Sequence, residues 1–176
     1  MRRPFALLLL GAAVSSLNTA GHAVQPAASR EDELKAAYLF NFAKFVEWPQ
    51  GRQASALVIC VVDAGGVTSA LAAAISNKRI GARTLGVRSL SPTDPRDDCD
   101  LLYVSAAAIR QDGLAANPPD APTLTVSDAA DFAKQGGMIE MFSEGNRIRF
   151  NINTGNAHRA GLRISSNLLR LATKVE

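Results

Sequence analysis

The sequence predicts an α/β fold: a single three-layer domain with a mostly parallel central sheet and a C-terminal antiparallel hairpin. Three observations predict it. Strand-like and helix-like segments alternate along residues 56–136, the pattern of βαβ units. The run Ala56–Val62 is apolar without alternation, as expected for a strand covered on both faces. The last third changes character, with extended runs at Met138–Phe142 and Arg147–Asn153 joined by Ser143-Glu144-Gly145, which reads as a hairpin. The chain has 176 residues, 47% hydrophobic and 20% charged, which suits one folded domain and excludes disorder.

Taken in order, Met1-Arg2-Arg3-Pro4 is a short basic start, followed by an apolar run from Phe5 to Val14 and the small-x-small triplet Gly21-His22-Ala23. This is the layout of a secretory signal peptide over residues 1–23, leaving a mature domain at 24–176. The apolar run is too short for the roughly 20 residues that span a bilayer. The expectation is therefore a soluble exported protein. After a short leader, Ser29 caps a helix whose first turn carries Glu31, Asp32 and Glu33, where the helix dipole favours acids. Asp32 stands three residues after Ser29, as in a capping box. The helix is expected to run to Glu47 and stop at Trp48-Pro49. Its apolar residues cover more than one stripe, so burial on two sides is expected. Tyr38, Phe40, Phe42, Phe45 and Trp48 crowd into it. They form either a central core helix or a helix that also meets a partner.

The strand Ala56–Val62 turns through Asp63-Ala64-Gly65-Gly66 into a helix at Val67–Ser76. Arg79–Leu90 reads as one strand. A Pro- and Asp-rich loop, Ser91–Asp98, leads to the strand Leu101–Val104, and a helix follows from Ala106 to Leu114. Pro118-Pro119 breaks the chain, and Thr123–Val126 is a further strand. Ser127 or Asp128 caps a helix through Lys134, ended by Gly136-Gly137. In the second hairpin strand Ile148, Phe150 and Ile152 share one face, while Arg147, Arg149, Asn151 and Asn153 share the other. Helical segments at Gly155–Ala160 and Ser166–Thr173 close the chain.

Composition excludes several function classes. Of 19 basic residues, Arg2 and Arg3 fall in the signal segment, leaving 17 against 16 acidic ones. With no polybasic run to track phosphates, nucleic acid is not an expected partner. Of the 2 histidines only His158 lies in the mature chain, and with 2 cysteines no four-ligand zinc site can be assembled. His158 has no accompanying nucleophile motif. Gly65-Gly66 lacks the G-x-G-x-x-G spacing of a dinucleotide site. The acidic loop Asp94, Asp97, Asp98 and Asp100 does not match a calcium loop and reads as solvated. The expectations are therefore no catalytic residues, no metal and no cofactor.

Two features invite a functional reading. In an oxidising compartment Cys60 and Cys99 read as one disulfide, the alternative being two separate buried thiols. The ladder Arg147, Arg149, Asn151 and Asn153 is either a solvated face with one ion pair, Glu140 being the candidate acid, or a surface for a partner or small acidic ligand. Two arginines on one strand face can grip carboxylates bidentately.

The segment Lys35–Pro49 (KAAYLFNFAKFVEWP), with Ile59-Cys60-Val61-Val62, Cys99–Val104, Leu124–Asp128, Ile148–Asn153 and Ile164–Ala172, resembles the YfiR-like family of bacterial periplasmic proteins. The resemblance implies an α/β periplasmic domain without catalytic activity. It implies a regulatory binding protein that inhibits a membrane-bound diguanylate cyclase through that enzyme's periplasmic region, and on this basis the expected partner is the periplasmic region of a membrane cyclase or sensor histidine kinase. An outer-membrane lipoprotein that sequesters the regulator, homodimers, and a disulfide matching Cys60 and Cys99 are implied as well. The family's second disulfide has no cysteines here. For partner contacts the expected residues are Phe40, Phe45 and Trp48 of the aromatic helix, with Arg147, Arg149, Asn151 and Asn153. The rival reading is a periplasmic small-ligand receptor without a direct membrane partner; an enzyme ranks last.

Overall fold

A computed structural model describes residues 28–49, 55–62, 65–112 and 122–176. The signal segment at 1–23, the turn residues Asp63-Ala64 and the break at Pro118-Pro119 lie outside them.

Helix α1 (Arg30–Lys44) begins at the expected cap. The Ser29 hydroxyl accepts from the Asp32 N–H at 3.2 Å, and the Asp32 carboxylate accepts from the Ser29 N–H at 2.9 Å, closing a capping box. Ser29→Ala is expected to lower stability by about 1 kcal/mol, read as a shifted urea midpoint at unchanged slope. The helix stops earlier than expected, with Phe45 as C-cap. Val46–Glu47 instead form strand β1, antiparallel to a strand near the C-terminus. Burial is one-sided rather than two-sided. Ala36, Leu39, Phe42 and Ala43 are buried, whereas Glu33, Ala37, Asn41 and Lys44 line an exposed stripe.

Strand β2 (Ala56–Val62) leads through Gly65 into α2 (Gly66–Ile75), β3 (Arg79–Ile80) and β4 (Arg83–Leu90). The single strand expected at 79–90 is thus two strands folded back antiparallel, with Gly81 at φ +57° in the turn. Next come β5 (Leu101–Val104), α3 (Ala106–Asp112) and β6 (Leu124–Ser127). Residues 128–136, expected as a helix, are a run of turns. Asp131 sits at φ +60°, which a right-handed helix cannot contain. Strands β7 (Ile139–Glu144) and β8 (Arg147–Ile152) form the expected hairpin around a two-residue turn, Gly145 supplying φ +58°. The chain ends with α4 (Thr154–Arg159), β9 (Arg163–Ile164), α5 (Ser166–Leu169) and β10 (Lys174–Val175). β9 pairs with β1.

The main sheet has eight strands in the order β10-β8-β7-β6-β5-β2-β4-β3. Five of its contacts are parallel; β3/β4 and β7/β8 are antiparallel. This is the predicted α/β class. Strand β2 is central, and its alternate residues feed two cores. Leu57, Ile59 and Val61 join the larger one with α1, α2, Tyr103 and Phe150. Cys60 and Val62 join the smaller one with Leu90, Leu102, Val104 and Ala108 of α3. Buried Cys60 and Cys99 are bonded to each other there, with Cα atoms 5.7 Å apart.

Candidate functional site

The crevice at the carboxyl ends of parallel strands is where open α/β sheets bind ligands. At the carboxyl end of β6 stands Asp128, tied to α1 and α3. The Lys35 ammonium reaches Asp128 at 2.6 Å and Glu31 at 2.8 Å. The other Asp128 oxygen accepts from the Ala106 N–H at 2.6 Å, at the start of α3. Burial would lower the Lys35 pKa, but its bonds to Asp128 and Glu31 outweigh that and hold it above its ordinary value. Burial, reinforced by Asp128, pushes the Tyr103 phenol far up, so it stays protonated. The network is a structural tie between α1, β6 and α3. Among the described residues no group of three or more His, Cys, Asp and Glu is placed to hold a metal ion. Among them, too, no helix is long and apolar enough to cross a membrane.

An open surface adjoins this network, where α1 meets the β7–β8 hairpin. Two depressions, of about 290 and 310 Å³, adjoin between α1 and the β7–β8 tip and share Leu34, Asn146, Arg147 and Ile148. The first is rimmed by Arg30 and Gly145 and the second by Tyr38 and Leu171. Leu171 is 66% exposed, the most exposed large apolar side chain described. The Tyr38 hydroxyl donates to the Ile148 carbonyl at 2.9 Å, and its ring meets Phe42 and Phe150 at 5.9 and 5.8 Å. The apolar spacing of α1 and the alternation of β8 thus build this groove from segments 110 residues apart.

The ladder residues separate. Arg147 is exposed on the groove rim. Arg149, also exposed, is bound to Glu144 at 3.0 Å. Glu140, the acid expected to pair with the arginines, faces Asn151 across the ladder, and its carboxylate accepts from the Ala133 N–H. Asn151 is half-buried. Asn153 leaves the ladder altogether. It caps α4 by accepting from the Asn156 N–H at 2.9 Å and donates to the Ala133 carbonyl at 3.1 Å. The cap follows from an Asn directly before a helical turn, a signal that the alternation of the strand masks.

Phe40, Phe45 and Trp48 line neither depression. Phe40 is half-buried under the Lys78 ammonium, 4.7 Å from its ring centre. Phe45, also half-buried, has the Lys44 ammonium 5.5 Å from its ring. Trp48 turns inward, its indole N–H donating to the Asp100 carbonyl at 3.1 Å. Sequence reasoning missed Tyr38, Leu171 and Arg30 as groove residues, and only the exposure of Leu171 after a helical turn could have signalled one of them.

The chain is an α/β sheet with apolar cores on both faces, stapled by a disulfide, with an open groove between α1 and the β7–β8 hairpin. The family model described as YfiR/HmsC-like matches residues 32–173, and the chain belongs to that family. The family is one of periplasmic regulators of diguanylate cyclase signalling, regulatory rather than catalytic. A conserved domain protein from Vibrio cholerae O1 biovar El Tor shares the fold, with a TM-score of 0.52 at 14% identity. That match covers 82% of this chain and 60% of the other, so the chain spans less than two thirds of that neighbour's length. No curated protein sequence matches.

Proposed function

We propose that the chain is an exported periplasmic regulator that inhibits a membrane-bound signalling protein, a diguanylate cyclase or a sensor histidine kinase, through its periplasmic region. The observation that carries this is the family match over residues 32–173. The disulfide supports export, because such bonds persist in oxidising compartments. Regulation requires that binding favour one signalling state of the partner over the other. The groove between α1 and the β7–β8 tip is the contact surface, with Arg147 and Arg149 on its hairpin side. An outer-membrane lipoprotein that withdraws the regulator, and a homodimer, belong to the same proposal.

Crosslinking in intact cells, followed by affinity capture from membranes, tests it. Capture of a cyclase or sensor kinase is expected. Arg147→Glu is expected to reduce that capture about tenfold with only a small fall in melting temperature, since reversing an interfacial charge costs on the order of 1–2 kcal/mol and the new carboxylate faces Glu144 across the exposed hairpin tip. Self-crosslinks alone, with an otherwise unbound pool, would overturn the reading in favour of a small-ligand receptor. Deleting the protein is expected to raise cyclic di-GMP where the partner is a cyclase; a fall would reverse the sign of regulation.

A further inference from the structure

We propose that the groove selects an extended acidic segment of its partner, a strand that places an apolar side chain between two carboxylates and adds to the β8 edge at Ile148. This rests on the docking reading above and names the chemistry of the occupant.

The edge comes first. β10 pairs with β8 only at Asn151 and Ile152, so no strand lies alongside Arg147–Arg149 on that side among the described residues. The Asn153 N–H donates to Met138 on the β7 side, whereas the carbonyls of Phe150 and Ile148 accept from Thr173 and Tyr38 on the other. Even-numbered residues of β8 therefore direct their backbone groups outward, Ile148 included. Its carbonyl retains a second lone pair beside the Tyr38 hydroxyl. An open edge of this kind is a template for strand addition, in which main-chain bonds give affinity and alternate side chains give selectivity.

Charge then decides the occupant. Arg30 and Arg147 stand on the rim of the same depression, and neither forms an ion pair with a described residue. Glu31, the acid on that rim, is already held by Lys35. The rim thus carries two uncommitted guanidinium groups, each suited to a carboxylate. Leu34 lines the same depression, and Tyr38 and Leu171 extend its apolar lining into the adjoining one, beside Arg147. A second copy of this chain fits poorly. Antiparallel pairing of two β8 edges matches outward residues with outward residues, so the arginines at 147 and 149 fall opposite arginines or Asn151. Like charges directly opposite destabilise such a pair.

The test titrates blocked octapeptides of alternating Glu and Val, with Gln-for-Glu and Lys-for-Glu counterparts, into isotopically labelled protein. The Glu peptide is expected to shift the amide resonances of Gly145–Arg149 and to slow hydrogen exchange at Ile148. The Gln peptide should bind about tenfold more weakly, the loss expected when charge-assisted bonds become neutral ones. Affinity for the Glu peptide should fall with added salt. Arg147→Glu should shift preference toward the Lys peptide. Equal binding of the Glu and Gln peptides, shifts centred elsewhere, or a concentration-dependent dimer that itself protects Ile148 would each overturn the proposal. If membrane capture persists while the peptides fail, the occupant is wrong and the regulator reading stands. Selective peptide binding without membrane capture would leave the groove chemistry standing and remove the regulator reading.

Discussion

Replacing Cys60 and Cys99 together by serine should lower the stability of the folded domain by about 4 kcal/mol, the chain-entropy cost of opening a loop of this size. The bond closes a sequence separation of 39 residues and ties the middle of β2 to the residue before Asp100 and β5. Both cysteines are fully buried in the smaller core beside Leu102, Val104 and Ala108. For a domain of this size each kcal/mol moves the melting temperature by roughly 2–4 °C, so a fall of about 8–16 °C is expected. Calorimetry of the wild type with and without reductant should show the same displacement. Equal melting temperatures under the two conditions would mean that the α3 side is held by packing alone.

The parts of this fold legible in the sequence are those whose cause is local. The Ser29 cap, the apolar run of β2, and the glycine turn at Gly145 each state their structure within a few residues. Where sequence reading failed, a distant segment had overridden the local pattern. Val46–Glu47 looked like the end of a helix, but β9 supplies an antiparallel partner more than a hundred residues later. The turns at 128–136 look helical by composition. Yet Phe132 packs directly over Gly137, where a side chain would clash with its ring, and Asp131 takes a left-handed conformation. The candidate site was legible in one residue class only. The alternation of β8 placed Arg147 and Arg149 on one face, but nothing local showed that Tyr38 and Leu34 would form the opposite wall.

Arg83→Ala should be comparably damaging, at about 3–5 kcal/mol, because it removes the cation from a buried carboxylate. Asp100 is only 3% exposed, though the acidic loop it ends reads as solvated. One oxygen accepts from Arg83 at 2.8 Å and from the Val58 N–H at 2.8 Å. Arg83 also donates to the Ala56 carbonyl at 2.7 Å, so a single guanidinium ties β4, β2 and the start of β5 together. Asp100→Asn should cost less than Arg83→Ala, since it removes the buried charge while keeping an acceptor for Val58. The double variant should then be less destabilised than the sum of the two, measured by denaturant midpoints. Simple additivity would show that the two side chains do not depend on each other. Trp48 reports on the same cluster, because the Arg83 guanidinium lies 5.9 Å from its ring and it is the chain's one tryptophan. Its emission should move to longer wavelength in folded Arg83→Ala as the indole loses its cover. Trp48 thus stands in this cluster, whereas Arg147 stands on the groove rim. Trp48→Ala should lose stability and membrane capture together, whereas Arg147→Glu should lose capture with little loss of stability.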